Sequence, residues 1–443
     1  MSSPKRPHSP GLMLLASFAL AITAGTLLLL LPLATTGGGI SVQDALFTST
    51  SAVCVTGLTV VDTGSRFTPF GQTVILILIK LGGLGIMTFT SLFFFLAGKG
   101  LRLRDKLVID SSFTVEGKLS LKHFVRDIFI FTFCLEIIGA FGLYAAGIGA
   151  GTGRRVFIAL FHSVSAFNNA GFSTYPDSLS RFSGHVMLNI IVILLIVGGG
   201  LGFFVVRDIW YKIGNRKKYK FSLHSKMVVI MTVFLIVGAS LLFFLLEKER
   251  SLNGLPLTDQ VLGSLFQSVT PRTAGFNTAN LTLLAPATVL LLLLLMFIGA
   301  SPGSTGGGIK TTSALTLLLF LKNSLRQRKN IRIWGRNLPN DLIQRVQLIF
   351  LSSLFVVLAS AFLITLAEGG RFSLTRIFFE VVSAFATVGL SLGITAQLST
   401  FSKFVIIMTM YTGRVGIINI FFTFQKERYL SPYEYPEERI MVG

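Results

Sequence analysis

Residues 45–59 read ALFTSTSAVCVTGLT, and the same design returns at 159–173 as ALFHSVSAFNNAGFS, at 264–278 as SLFQSVTPRTAGFNT and at 377–391 as IFFEVVSAFATVGLS. Each is an aromatic-rich, amphipathic stretch of about ten residues, then a small polar pair, then a single glycine and a large apolar residue. The glycines are Gly57, Gly171, Gly275 and Gly389, separated by 114, 104 and 114 residues, so the chain reads as a fourfold internal repeat. The units divide as 1–98, 99–212, 213–325 and 326–443, the last carrying a C-terminal tail.

Around these stretches lie eight apolar blocks, near 11–33, 72–97, 124–147, 186–211, 225–246, 286–321, 344–367 and 402–424. Spanning the ~30 Å hydrocarbon core takes ~20 helical residues, so the blocks can cross and the short stretches between members of each pair cannot. A ten-residue helix is ~15 Å long and ends near mid-membrane. The predicted fold is an all-α integral membrane protein. It has four tandem M1–P–M2 units, eight transmembrane helices and four re-entrant pore loops around one pseudo-fourfold pore. Bare backbone carbonyls at that depth are tolerated only where protein or water surrounds them, so the four turns must converge on an aqueous path.

Composition agrees with a membrane protein: 52% of residues are hydrophobic, only 13% are charged, and mean hydropathy is +0.73. Two cysteines and five unclustered histidines exclude a disulfide framework and a thiolate metal cage. No Ser, His and Asp constellation recurs, so an enzyme is not expected, and no cofactor is called for. The net charge of +20 follows the loops. The connectors 99–126, 207–226 and 322–345 hold 21 of the 39 Lys and Arg, against ten in the intervening loops. Basic residues collect on the cytoplasmic side, which places both termini there and makes this a multi-pass plasma-membrane protein. A nucleic-acid partner would need one basic face on a folded domain, and none is visible. The N-terminal apolar run is longer than a signal sequence's core, and it reads as a retained helix.

Four turns arranged about an axis give a ring of carbonyls able to replace a cation's hydration shell. The dihedrals that aim successive carbonyls at the axis cost little only for glycine. The candidate filter residues are Val55, Thr56 and Gly57, Asn169, Ala170 and Gly171, Thr273, Ala274 and Gly275, and Thr387, Val388 and Gly389. Monovalent cation selectivity follows as the leading reading.

At these residues the chain resembles the Trk/Ktr/HKT superfamily of potassium transporters, most closely the membrane subunits of bacterial Ktr systems. TSTSAVCVTGLTVVDTG, FHSVSAFNNAGFS, FQSVTPRTAGFNT, LLMFIGASPGSTGGGIKTT and SAFATVGLSLG carry the resemblance, which spans nearly the whole chain. It implies potassium uptake, a homodimer with one pore per subunit, and gating by a cytosolic nucleotide-binding ring of the RCK type. Glycine in all four turns favours potassium within that family. Potassium is the substrate, with sodium a possible activator. Since the triplets differ and lack the second glycine of channel filters, discrimination against sodium is expected to be weaker than in a channel. The alternatives are a sodium- or proton-coupled symporter, or a less selective monovalent cation transporter.

The sixth block is broken at 299–312 by GASPGSTGGGIKTT. Glycine costs about 1 kcal/mol and proline about 3 kcal/mol inside a helix, so Pro302, Gly303, Gly306, Gly307 and Gly308 should unwind it, and Gly299 and Ser301 join them as candidate gate residues. The segment is either a proline kink between packed helices or, as the resemblance supports, an intramembrane gate. Its likeness to a phosphate-binding loop fails on spacing, because Ile309 intervenes before Lys310. Lys310 is either a gate residue or the loop's cytoplasmic end. Arg414, in mid-block, is either pore-facing or an internally paired structural residue. Arg272 is expected to brace the third turn through neighbouring carbonyls, Glu136 to be hydrogen-bonded between helices, and Cys54 to be a small residue at a helix end. GGLG (82–85) and GGGLG (198–202) permit close helix approach. The basic connectors, Arg328, Lys329 and Arg332 among them, suit either a cytosolic regulatory ring or anionic membrane lipid.

Overall fold

A computed structural model of the chain describes residues 10–85, 121–214, 221–327 and 331–417. In order, its helices beyond single turns are α1 (Pro10–Leu29), α2 (Val42–Val53), α3 (Pro69–Gly83), α4 (Leu121–Ala145), α5 (Arg155–Phe167), α6 (Val186–Gly200) and α7 (Phe203–Gly214). Then follow α8 (Leu223–Glu247), α9 (Leu257–Val269), α10 (Pro286–Phe297), α11 (Thr311–Leu325), α12 (Asn340–Glu368), α13 (Leu374–Phe385) and α14 (Thr400–Val415). A small antiparallel hairpin, β1 (Arg332–Ile333) and β2 (Arg336–Asn337), precedes α12, with Ile333 opposite Arg336.

Local chemistry sets the helix starts. Ser41 accepts the Asp44 N–H at the head of α2, Thr68 accepts that of Gly71 ahead of a proline, and Ser222 and Ser399 do the same for α8 and α14. Two capping groups come from other helices. Glu247, the last residue of α8, is buried and accepts the Ala285 N–H at 2.9 Å and the Thr288 hydroxyl at 2.5 Å, closing the head of α10. Glu368 ends α12 and takes the Ser399 N–H at 2.9 Å at the head of α14.

The helices α1, α4, α8 and α12 are each long and apolar enough to cross a membrane. The short helices α2, α5, α9 and α13 lie inside, and the phenylalanine shared by the four stretches (Phe47, Phe161, Phe266, Phe379) is fully buried in every one. Close approach depends on small residues. A Cβ on Gly25 of α1 would stand 2.4 Å from Ser49 Oγ, and one on Gly139 of α4 would stand 2.6 Å from Ser163 Oγ. Those hydroxyls instead donate across the contacts to Ile22 O and Glu136 O, at 2.7 and 2.6 Å.

Each second helix of a pair also packs on the next unit's short helix. Thus α3 meets α5, α6 meets α9, α10 meets α13, and α14 returns to α2, so the succession closes on itself.

Two of the expected crossings are not continuous helices. The block 186–211 turns through 101° between α6 and α7, where Gly202 takes φ +89° and the Phe203 N–H goes to Gly303 O at 3.0 Å. The block 286–321 stops at Phe297 and resumes at Thr311, so Thr311 and Thr312 of the glycine-rich stretch are already helical. Residues 86–97 and 418–424 of two other blocks, and Arg328 and Lys329, lie outside the described residues.

Glu247→Ala leaves the Ala285 N–H and Thr288 hydroxyl without their buried acceptor, at about 1–3 kcal/mol for each such group. The variant is expected to unfold at a lower temperature in detergent, which a thermal-shift measurement with a membrane-protein-compatible dye reads directly.

Candidate functional site

The four short helices end in one way. After each comes a turn whose first triplet residue and glycine both have left-handed dihedrals: Val55 (φ 56°) and Gly57 (90°), Asn169 (58°) and Gly171 (69°), Thr273 (72°) and Gly275 (74°), Thr387 (52°) and Gly389 (91°). Val55, Thr273 and Thr387 are β-branched, for which a left-handed dihedral is a strained choice, and the turns hold it because the backbone is pinned from behind. The Thr56 N–H reaches Ser51 O at 2.7 Å, that of Ala170 reaches Ser165 O at 2.8 Å, and that of Val388 reaches Ser383 O at 2.8 Å. Hydroxyls complete the hold: Ser51 and Ser383 accept the N–H groups of Gly57 and Gly389, while Ser165 and Thr270 donate to Phe172 O and Phe276 O. The third turn reaches its glycine one residue sooner after this Ser/Thr position than the other three do.

The glycines face one another in cyclic order. A Cβ on Gly57 would lie 2.5 Å from Ala170 O, on Gly171 2.9 Å from Ala274 O, on Gly275 2.4 Å from Val388 O, and on Gly389 2.2 Å from Thr56 O. The middle carbonyl of each triplet therefore sits against the glycine of the preceding unit, and the fourth glycine closes on the first unit. Glycine is needed here twice over, for its dihedral and for lack of space. Within the triplets the hydroxyls of Thr56, Thr273 and Thr387 are buried and have no partner among the described residues.

Beneath two of the turns lies the glycine-rich segment. A Cβ on Gly306 would stand 2.1 Å from Thr273 Oγ1, and one on Gly307 2.3 Å from Thr387 Oγ1. The segment is tied down at many points. Ser301 N–H donates to Gly200 O at 3.2 Å, Thr305 N–H to Gly199 O at 3.3 Å, and Ala300 N–H to Gly307 O at 3.3 Å. Pro302 and Gly303 lie against Gly202, and Gly308 has φ +68° beside Gly299. Lys310 Nζ donates to Gly306 O at 2.7 Å, and Arg414 donates to Thr305 O and, across the chain, to Gly82 O. The segment is thus no simple kink, because a kinked helix would not send its backbone donors to α6. Lys310, the last residue before α11, is bonded back into the segment. Arg414 is internally bonded to carbonyls, and no ion pair among the described residues includes either cation.

Glycines in the second helices abut the ends of the short ones. A Cβ on Gly82 would meet Val53 O at 1.9 Å, on Gly199 Phe167 O at 1.8 Å, and on Gly413 Phe385 O at 1.8 Å. Gly82 and Gly199 belong to the two glycine clusters GGLG and GGGLG.

Arg272 departs from expectation. Its guanidinium reaches sideways to Thr232 Oγ1 of α8 at 3.1 Å rather than to the turn's own carbonyls, and its Nε has no partner among the described residues. Cys54 is buried at the end of α2, and free. Glu136 is bonded between helices, but its chief partner is one that the linear pattern does not point to. Lys80 Nζ lies 2.5 Å from Glu136 Oε2, Asn168 Nδ2 donates to Oε1 at 2.8 Å, and the Lys80 ammonium stands 4.4 Å from the centre of the Phe133 ring. The lysine inside ILILIKLGG is the available signal, since a charge at that depth needs a partner. In the connection between α5 and α6, Arg181 bonds Asp177 at 2.7 Å and holds that carboxyl below its ordinary value.

A polytopic helical membrane protein with glycine turns closed in a ring over a tethered loop is built to pass small solutes, not to catalyse. The cation transport protein family TrkH matches residues 11–429. The chain is 39% identical to Ktr system potassium uptake protein B of Bacillus subtilis, covering 98% of this chain and 97% of that protein. It is 36% identical to the protein of the same name in Vibrio alginolyticus, over 97% and 94%. It is also 36% identical to the potassium/sodium uptake protein NtpJ of Enterococcus hirae, over 98% and 97%. The crystal structure of the potassium transporter TrkH from Vibrio parahaemolyticus shares the fold, with a TM-score of 0.77 at 24% identity, over 95% of this chain and 85% of that one. The chain belongs to the TrkH family of cation transport proteins, and it is a transporter rather than an enzyme.

Two outcomes are expected. Gly389→Ser places a side chain against Thr56 O and costs about 1–2 kcal/mol in dihedral strain alone, so cation uptake into vesicles falls while membrane insertion, read by immunoblot, does not. Lys80→Met strands Glu136, at about 3–5 kcal/mol for a broken buried pair, and the double variant Lys80→Met/Glu136→Gln recovers most of that loss of thermal stability.

Proposed function

We propose that the chain carries potassium ions inward across the plasma membrane, through the ring formed by its four glycine turns. The observation that carries this reading is the cyclic seating of the carbonyls of Thr56, Ala170, Ala274 and Val388, each against the glycine of the preceding unit. A dehydrating cation needs such oxygens held in place before it arrives, because oxygens that had to reorganise would not repay the lost water. The buried, unpartnered hydroxyls of Thr56, Thr273 and Thr387 supply further oxygen ligands. The short helices, with their C-terminal ends at the ring, add roughly half a negative charge each toward the same space. In this reading each unit is one M1–P–M2 element, and the four enclose a single pore.

The glycine-rich loop acts as a gate on the inner side. Its backbone is pressed to the third and fourth turns, and Arg414 and Lys310 hold it there through carbonyls. Positive charge at that level also opposes a waiting cation until the loop moves. Two of the relatives are named for a Ktr system, which implies a further subunit. A cytosolic regulatory ring meeting the basic connectors, two copies of the chain side by side, and cytoplasmic termini complete the proposal.

Coupled transport has less support. Glu136 is taken by Lys80 and Asn168, and Glu247 by the head of α10, so neither is a free proton carrier. A less selective path keeps one argument in its favour, since the Enterococcus hirae relative is named for potassium and sodium together.

The test is growth of a potassium-uptake-deficient bacterium on limiting potassium, with this chain alone and with a cytosolic partner. Growth that needs the partner supports a gated potassium path, and Arg414→Gln is then expected to restore growth without it. Failure of both, with the protein in the membrane, overturns the reading, and growth that requires sodium moves it to a coupled symporter.

A further inference from the structure

Behind the ring a second spacing recurs. The residue following the buried phenylalanine of each short helix is polar and fully buried: Thr48, His162, Gln267 and Glu380. The second residue after each glycine is polar as well: Thr59, Ser173, Asn277 and Ser391. These partners stand 11 residues apart in three units and 10 in the third, whose turn is one residue shorter.

Two of the pairs are joined. His162 Nδ1 lies 2.9 Å from Ile158 O, a carbonyl that can only accept, so Nε2 is the acceptor for the Ser173 hydroxyl at 3.0 Å. The imidazole is stacked on Tyr175, 5.3 Å between ring centres. In the fourth unit Glu380 accepts the Ser391 hydroxyl on Oε1 and the Thr395 hydroxyl on Oε2 at 3.0 Å. Ser391 Oγ in turn accepts the Gly393 N–H at 2.9 Å. Every partner of this carboxyl is a donor on the outgoing strand. One side chain on the short helix thereby fixes the residues that follow Leu390, and with them the far end of the Thr387–Gly389 triplet.

We propose that this position is a strut that sets cation discrimination, with Glu380 the positioning residue of the fourth turn and His162 its counterpart in the second. The inference rests on reading the ring as a selective path. Neither residue touches the ion. Each acts by stopping its strand from shifting, which would let the ring shrink onto a smaller cation. The unlike side chains at this one position, a hydroxyl, an imidazole, an amide and a carboxyl, make the four strands unequally held, with the fourth the most firmly bonded.

The experiment measures rubidium uptake by the full chain in proteoliposomes, competed with potassium or sodium, for the parent, Glu380→Ala, Ser391→Ala and the double variant. The single variants are expected to lose about tenfold in potassium-over-sodium discrimination, the size of one buried hydrogen bond at roughly 1.4 kcal/mol. The double variant should be no worse than Glu380→Ala, because Ser391 reaches the short helix through Glu380. His162→Ala and Ser173→Ala should show the same non-additivity. Discrimination within twofold of the parent in Ser391→Ala, or effects that simply add, overturns the strut. Ser391→Ala removes only a hydroxyl, and it decides the matter if Glu380→Ala does not reach the membrane. A parent that discriminates while its variants discriminate equally overturns the strut alone; a parent without discrimination overturns the reading of the ring with it.

Discussion

The structure depends on one constraint: backbone carbonyls left bare in the middle of a membrane must be surrounded by protein or water. Four short helices that end inside the fold each create that problem, and the fold answers it by bringing the four ends together. Everything else serves the meeting. Long helices wall it off, small residues let the walls come close, and hydroxyls such as Ser51, Ser165, Thr270 and Ser383 hold the turns from behind. The four glycines are then not four separate turn formers. Each leaves the space into which its neighbour's carbonyl fits.

The same constraint governs the loop below. A helix broken at Phe297 exposes donors and acceptors that lipid cannot satisfy, and these are met by Gly199 and Gly200 of α6, by Arg414 and by Lys310. Groups that satisfy the loop also restrain it. Cations are suited to this task, because a guanidinium bonds carbonyls of two different segments at once, here Thr305 and Gly82. Loop, ring and second helices are consequently one bonded assembly, and a change at the C-terminal end of α6 or α14 has a direct mechanical route to the ring.

Much of this can be read along the chain. The glycine stretches recur at even spacing, and the charged connectors alternate with poor ones, because both patterns follow from local requirements: a dihedral that favours glycine, and a lipid core that rejects charge. The break at 299–312 is legible for the same reason, since glycine and proline weaken a helix wherever they stand. The pairing of Lys80 with Glu136 is not, because the two are 56 residues apart on different helices. Arg272 sits beside the carbonyls of its own turn in sequence, whereas Thr232, 40 residues earlier, is where it goes. The sharp bend at Gly202 has a local trace in GGGLG, but the acceptor that receives the Phe203 N–H there, Gly303 O, lies a hundred residues on.

By itself, then, the amino-acid sequence determined a helical membrane protein with recurring glycine turns and one helix interrupted by glycine and proline, since hydropathy and backbone freedom are properties of short segments. Only the tertiary structure decided the cyclic order in which each glycine receives the next unit's carbonyl, the seating of Gly306 and Gly307 under Thr273 and Thr387, and the bonds of Arg414 and Lys310. Those depend on which helices pack together, and packing between segments a hundred residues apart is settled by shape and by satisfaction of buried polar groups, neither of which a linear pattern records.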